Sequence, residues 1–394
     1  LFAFERWDEK HIDLFKQLKP INNRLTIEKG RRGNVILNDS YSNDFESLAI
    51  ALDVIQRQQP NLPLKLIVSE MEQVTNNVQL EQQKISQLFE SKHIDSILAL
   101  PLVNRSAIAA ANFNIVVDAV NSSGGIFVPA LLDALGVTQI TKLYCEPTGH
   151  FPHNPEPLPE HLGDLANEIR STQADLGITV DPDVDRLAMV CEDGSMFGEE
   201  YTLVAVADYV LSKTPGATVS NLSSTRALRD VTEEWHKQSY AAAAVGEVNV
   251  VEKMKAIHAV IGGEGNGGII YPESHYGRDA LVGIALFLSH LAEKKCKVSE
   301  LRDHYPAYTI SKNKIELTPN VNVDDILNKM AQAYAHEEVD TTDGVKIYIG
   351  KEWVHLRKSN TEPIIRIYSE SMSIEAADKL ANKIIADITA IIEN

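Results

Sequence analysis

The chain has 394 residues, 44% hydrophobic and 23% charged, with a formal net charge of −18 at pH 7. That length and mix describe a globular chain of two to four domains, and so acidic a surface excludes the basic groove that nucleic acid requires. Cys145, Cys191 and Cys296 are too scattered to frame disulfides or a structural zinc, which fits a reducing cytoplasm. No apolar run reaches the length of a membrane span; residues 281–288 form the best one, at the length of a buried helix segment. The opening Leu-Phe-Ala-Phe-Glu-Arg-Trp carries charges where a signal peptide needs an apolar core, and it lacks an initiating Met, so a fragment is expected. The expected setting is cytoplasmic, with no membrane and no nucleic-acid partner.

Residues 1–97 read as an α/β segment: strands over 24–28 and 34–37, a helix over 45–58, a strand over 64–69, a helix over 80–92 and a strand over 94–100. Asn38-Asp-Ser-Tyr-Ser-Asn-Asp44 follows a strand and reads as a polar loop with Asp44 as helix N-cap. Residues 98–196 change character. A buried strand over 114–118 ends in Asp118, the turn 121–125 opens a helix over 126–135, and a Pro-rich connection over 144–157 precedes a helix over 159–172. The strand 176–180 then runs into Asp181-Pro-Asp-Val-Asp-Arg186, and 187–190 is the next strand. Such β-α-β-α-β rhythm with short loops predicts a parallel sheet covered by helices, with ligands gathering at strand C-terminal ends.

Three carboxylates at alternating positions in a tight turn can point at one centre, and left alone they repel. An all-oxygen set suits a hard cation, Mg²⁺ or Mn²⁺, better than zinc. Arg186 adds a fixed guanidinium beside it, suited to a phosphate-bearing substrate. Other readings compete. An EF-hand loop would find Glu192 at its twelfth position but needs Gly where Arg186 stands and helices where the flanks look like strands. A haloacid-dehalogenase-type phosphatase also runs an apolar strand into Asp-x-Asp, with Thr or Val next, yet usually does so near the start of its domain. A merely solvated acidic turn sits poorly after so apolar a strand. The reading left is the metal loop of a phosphosugar enzyme.

In residues 197–305 the rhythm repeats: helix 201–211, strand 218–221, helix 225–235, strand 239–244, helix 249–256, and strand 259–261 leading into Gly262-Gly-Glu-Gly-Asn-Gly-Gly268. Five glycines in that loop let backbone approach a ligand, while Glu264 and Asn266 offer an acceptor and an amide. It is no dinucleotide loop, since it opens no helix directly. Arg278-Asp279 starts a helix over 280–291. Residues 306–394 read as a small antiparallel α+β domain, with strands over 308–317, 344–349, 353–356 and 363–369 and helices over 323–335 and 374–391. Between two of its strands lies Arg357-Lys-Ser-Asn-Thr-Glu-Pro363, with Arg366 beyond. Guanidinium, ammonium, hydroxyls and turn N–H groups together make a phosphate cradle.

Residues 92–394 resemble the α-D-phosphohexomutases, the phosphoglucosamine, phosphomannose and phosphoglucose mutases. The matching pieces are Asp181-Pro-Asp-Val-Asp-Arg186 for the metal loop, Gly263-Glu-Gly-Asn-Gly267 for the sugar loop and Arg357-Lys-Ser-Asn-Thr-Glu-Pro363 for the phosphate loop. Val245-Gly-Glu-Val-Asn-Val-Val-Glu-Lys253 looks like a further family segment. The resemblance implies successive three-layer α/β domains with mixed or parallel sheets plus the antiparallel C-terminal domain, as second (98–196), third (197–305) and fourth (306–394) domains. It implies an enzyme that moves a phosphoryl group between O1 and O6 of a hexose or hexosamine phosphate through the 1,6-bisphosphate. A phosphoserine donates and recovers that group, with Mg²⁺ spreading the charge. It assigns Asp181, Asp183 and Asp185 to Mg²⁺, Arg186 to the catalytic centre, Glu264 and Asn266 to sugar hydroxyls, and Arg357, Ser359, Asn360, Thr361 and Arg366 to the non-reacting phosphate.

There are departures. Gly268 stands where most members carry His, with His275 nearby, and Asn360 replaces a usual Gly. The family's Thr-Ala-Ser-His-Asn-Pro segment does not occur in these residues; Ser40, Ser42, Ser122 and Ser123 lie in other contexts. In its place residues 10–97, through Asn23-Arg-Leu-Thr-Ile, the 38–44 piece and Leu-Ile-Val-Ser-Glu70, resemble the opening of the C-terminal domain of a D-Ala-D-Ala-adding muramyl ligase. The ligase's Gly-Lys-Thr ATP loop is missing from the chain, so that resemblance implies no ligation. A chimera, or a non-catalytic phosphosugar-binding fragment, is the alternative expectation.

Overall fold

The computed structural model describes residues 26–29, 35–38, 92–316, 322–359 and 364–393. Residues 1–92 and 93–394 are two separate compact units. In the first, β1 (Thr26–Lys29) and β2 (Val35–Asn38) pair antiparallel with Thr26 opposite Asn38. The remaining readings within 1–91, including the 38–44 loop beyond Asn38 and most of the stretch likened above to a muramyl ligase, a resemblance that comparison with known proteins does not show, lie outside the described residues.

The expected strand over 94–100 is helical over residues 92–98. Ile94, Ile97 and Leu98 recur at three- and four-residue spacing, so a helix turns them to one side, and Ile94 and Ile97 are buried there. After α1 (Arg105–Ala111), four strands form one sheet: β3 (Asn114–Asp118), β4 (Gln139–Leu143), β5 (Leu176–Val180) and β6 (Leu187–Cys191). Their order is β4-β3-β5-β6, parallel except that β6 returns antiparallel beside β5. Every residue of β5 and β6 is buried, as near-continuous apolar runs are when both faces are covered. Helices α2 (Gly124–Leu135) and α3 (Gly163–Thr172) pack on this sheet.

A second sheet repeats the plan. After α4 (Glu199–Lys213) come β7 (Thr218–Asn221), β8 (Tyr240–Ala243), α5 (Glu247–Ile257), β9 (Ile261–Glu264) and β10 (Gly268–Ile270). The order is β10-β9-β7-β8, again parallel but for the terminal antiparallel hairpin. The expected 225–235 helix is α-helical over 227–230 and widens to a π-helical turn over 231–235. Helix α6 (Ala280–Lys294) is buried almost all round and packs with α4 against strands of both sheets, giving one shared core. The 281–288 run thus lies inside the protein, and among the described residues no helix is long and apolar enough to cross a membrane.

Beyond α7 (Val298–His304), the last part is a five-stranded antiparallel sheet. Its strands are β11 (Thr309–Glu316), β12 (Glu338–Asp340), β13 (Val345–Ile349), β14 (Glu352–Lys358) and β15 (Ile364–Ser371), in the order β11-β15-β14-β13-β12. Helices α8 (Val323–Ala333) and α9 (Ile374–Glu393) cover one face over a core including Ile347, Val354, Leu356, Ile365 and Ile367. These residues alternate with polar ones, so the opposite face carries charge. The architecture is therefore mixed α/β domains followed by an antiparallel domain.

Candidate active site

The acidic stretch is the turn of the β5–β6 hairpin: Val180 pairs with Leu187, leaving residues 181–186 as the loop. Asp181 is buried and organises it. Its Oδ1 accepts from the backbone N–H of Asp185 at 3.1 Å and of Arg186 at 3.0 Å, and Arg186 Nε donates to its Oδ2 at 2.6 Å. Val184 sits at φ 60°, a left-handed conformation costly for a β-branched residue. Neighbouring chain holds it there. Ala280 N–H donates to the Val184 carbonyl at 3.0 Å, and the Ser122 and Ser123 hydroxyls both donate to the Pro182 carbonyl at 2.8 Å.

Asp181, Asp183 and Asp185 each bring one carboxylate oxygen to within 4.8 Å of the others. Burial, and then the Asp185 charge, push the Asp181 carboxyl up to about 6. Burial first, and then Asp181, also raise Asp183; Asp185 is raised by burial against the opposing pull of Arg278. Asp185 Oδ1 is buried with no hydrogen-bond donor. An orphaned carboxylate oxygen and mutually destabilised acids are what a hard cation would relieve, so this donor set can hold one.

The β9–β10 hairpin lies against that loop. Leu187 N–H donates to the Gly267 carbonyl at 3.1 Å, and Arg186 bridges Gly268. Gly267 has φ 90°, and a Cβ there would fall 2.2 Å from the Leu187 carbonyl oxygen, so the two turns meet this closely only with glycine. Glu264 ends β9, buried. Its Oε1 accepts from Asn221 Nδ2 at 2.8 Å and Gly246 N–H at 3.1 Å, and its Oε2 from Arg278 Nη1 at 3.0 Å. Asn266 Oδ1 accepts from Gly268 N–H at 3.2 Å.

Arg278 joins the two loops: one guanidinium arm binds Glu264 and the other Asp185. Glu247, in the further family-like segment, accepts from the Arg278 N–H at 3.2 Å and lies 3.5 Å from its Nε. Sequence reading passed over Arg278 as a helix start, although a cation just past a glycine loop was a usable signal. It also explains Gly268: a Cβ there would lie 2.4 Å from Arg278 Cδ, so the arginine stem fills that space. His275 is elsewhere, its Nε2 2.9 Å from Asp279 Oδ2. Arg278→Ala is expected to lower stability by ~1–2 kcal/mol, a buried charge-assisted value discounted for partial solvent access. Saturating Mg²⁺ should recover part of the loss; equal loss with and without Mg²⁺ in urea titrations would separate Arg278 from the carboxylate trio.

In the last domain Arg357 faces Arg366 across β14–β15, and Arg366 faces Lys314 across β11–β15. Three cations in one cross-strand row favour an added anion, although Lys314 already lies 3.3 Å from Glu316. Arg357 Nε lies 2.8 Å from Asp343 Oδ2, Arg366 is exposed, and buried Ser359 donates its N–H to the Ile364 carbonyl at 3.1 Å. Asn360 and Thr361 lie outside the described residues. Among the described residues no hydrogen bond joins this row directly to the acidic loop, but short chains reach the glycine loop. Asp343 Oδ2 also accepts from Val245 N–H at 2.9 Å, next to the Gly246 N–H that binds Glu264. His355 Nδ1 lies 2.9 Å from Ser223 Oγ, and Ser223 N–H donates to Asn221 Oδ1, whose amide binds Glu264. Asp343, Asn221 and Lys314 carry no local signature and were legible only once the strands were paired.

Three family models match the chain in order: phosphoglucomutase/phosphomannomutase alpha/beta/alpha domain II over residues 91–194, domain III over 198–308, and the C-terminal domain over 312–387. A phosphoglucomutase/phosphomannomutase of Thermococcus kodakarensis is 35% identical over 266 residues, 67% of this chain and 58% of its own length. A phosphoglucosamine/phosphogalactosamine mutase of Sulfurisphaera tokodaii is 31% identical over 325 residues, 80% of this chain and 69% of its own. A crystal structure of a phosphoglucomutase/phosphomannomutase family protein from Burkholderia thailandensis superposes with a TM-score of 0.67 at 25% identity, covering 80% of this chain and 70% of that one. The chain spans 58% and 69% of the lengths of these two curated relatives. On the matched domains, their order and the identity over these lengths, the chain belongs to the phosphoglucomutase/phosphomannomutase family.

Proposed function

We propose that residues 98–196, 197–305 and 306–394 act as the second, third and fourth domains of a phosphohexomutase, which interconverts hexose or hexosamine 6-phosphate and 1-phosphate through the 1,6-bisphosphate. The observation that carries this is Arg278, whose guanidinium spans Asp185 and Glu264 and so makes one centre of the acidic and glycine-rich turns. Asp181, Asp183 and Asp185 would hold Mg²⁺, which would supply electrostatic relief for the phosphoryl oxygens. Arg186, already anchored by Asp181, presents its remaining donors to the transferring group. Glu264 and Asn266 meet sugar hydroxyls, Glu264 by exchanging one of its present donors. The Lys314–Arg366–Arg357 row, with Ser359, Asn360 and Thr361, grips the non-reacting phosphate. A bisphosphate intermediate must present either phosphate in turn, so donors on a separate antiparallel domain serve both orientations.

A second reading concerns turnover, and the sequence favours it: the Thr-Ala-Ser-His-Asn-Pro segment does not occur among these 394 residues. Phosphoryl transfer needs a nucleophile held in line at near-contact distance, and Arg186 can stabilise charge but cannot accept and return the group. The 394-residue polypeptide is therefore expected to bind phosphosugar and turn it over poorly. The test supplies glucosamine 6-phosphate, a catalytic amount of its 1,6-bisphosphate and Mg²⁺, and follows the 1-phosphate while calorimetry reads binding. Binding with turnover far below about 1 s⁻¹, an ordinary enzymatic rate, supports the reading. Fast turnover would point to a phosphoryl-carrying serine within the chain, with Ser40 and Ser42 first to be mapped. No phosphosugar binding at all would sink the family function for this polypeptide.

A further inference from the structure

Among the described residues a second group of metal-type donors lies apart from the acidic turn: His93, His275 and Asp279, whose ligand atoms are within 4.8 Å of one another. His93 comes from the helical stretch that opens the unit, His275 from the loop after β10, and Asp279 from the N-cap of α6. Both imidazoles aim Nε2 at the same oxygen, Asp279 Oδ2, at 2.8 Å and 2.9 Å. Asp279 Oδ1 is committed to capping, accepting from the N–H groups of Leu281 at 2.9 Å and Val282 at 3.1 Å. One carboxylate oxygen is thus fixed in direction by the helix and shared by two rings. The His93 and His275 side chains are 33% and 46% exposed, so solvent can complete a coordination shell.

We propose that His93, His275 and Asp279 form a site for a borderline divalent transition ion, Zn²⁺ foremost, separate from the Mg²⁺-type carboxylate trio. Two imidazoles and a carboxylate are the donor set of three-ligand zinc and non-haem metal sites, whereas Mg²⁺ prefers oxygen alone. Bound at about 2.0–2.1 Å from each donor, the ion would space them roughly 3.3 Å apart. That is a small opening from the present contacts, and the partly exposed rings can make it by rotation. The ion would replace the shared hydrogen bonds with coordination and tie the opening helix to the start of α6. Arg278, the residue that couples the acidic and glycine-rich turns, immediately precedes Asp279, so the same tie would steady that arginine.

The test uses the full chain in Mg²⁺-saturated buffer, so that the carboxylate trio is occupied. Titration with Zn²⁺ is expected to show one site of micromolar or tighter affinity, weakened at least about tenfold in His93→Gln and in His275→Gln and little changed in Asp183→Asn. Cobalt(II) should give a visible d–d spectrum on the same site. Diethylpyrocarbonate footprinting of the unaltered chain provides a readout that needs no variant: Zn²⁺ should protect His93 and His275 while exposed His336 stays reactive. Zn²⁺ binding that persists in both His variants, that vanishes in Asp183→Asn, or that leaves both histidines unprotected would overturn the assignment, as would no binding in the micromolar range. Because Zn²⁺ is read here without substrate, failure of this site leaves the phosphosugar reading standing, and the converse holds.

Discussion

Asp183→Asn is expected to lower Mg²⁺ affinity about a hundredfold or more, because affinity at an all-oxygen site follows the number of ligand charges. Asp181 is committed to the loop backbone and Arg186, and Asp185 to Arg278, whereas Asp183 is the exposed member of the trio. It therefore lends charge to an ion without holding the fold, and its replacement should leave thermal stability in chelator nearly unchanged. Calorimetric titration decides it: equal Mg²⁺ affinity in the variant removes the trio as the metal site.

The same site makes a pH statement. Asp181 rises from 3.8 to about 6 on folding, chiefly through burial. A carboxyl raised in the folded state favours the metal-free fold at low pH, and that contribution is lost as pH climbs from about 4 through about 6. Mg²⁺ needs the ionised form, so its apparent affinity should fall as pH drops through about 6, with proton release on binding. The Mg²⁺-dependent rise in melting temperature should accordingly be larger at about pH 7.5 than at about pH 5.

Arg357→Ala is expected to weaken hexose 6-phosphate about ten- to hundredfold while leaving the weak binding of the parent hexose unchanged, the worth of one charge-assisted bond at a partly buried site. The effect should be specific to the phosphate, because Arg357 stands in a cationic row with Arg366 and Lys314. Removing one of three mutually repelling cations should cost the free protein little, and it also frees Asp343, now 2.8 Å from Arg357 Nε. An unchanged dissociation constant for the phosphosugar would take this sheet out of the site.

The acidic turn was legible in the sequence because it is local. Two mainly apolar runs separated by alternating carboxylates suit buried strands with the acids gathered in the turn between them, and β5, residues 181–186 and β6 form such a hairpin. The same holds for the alternation of 345–349, 352–358 and 364–371, which placed apolar residues under α8 and α9 and Arg357 and Arg366 on the opposite face, where Lys346 is nonetheless buried. The 94–100 reading failed for the converse reason: a short apolar run suits strand or helix alike, and only packing chose the helix.

What the tertiary structure alone decided is which distant groups meet. Arg278 and Asp185 are 93 positions apart, and their pairing depends on two hairpins from separate sheets lying edge to edge with glycine at the contact. Lys314 joins Arg366 and Arg357 only through the register of β11 against β15. His93, His275 and Asp279 share an oxygen only because the opening helix and α6 pack together. Composition and period act over a few residues, where backbone geometry is fixed by local sterics and burial. Register and packing between sheets are fixed by the fit of whole cores, which no spacing along the chain records.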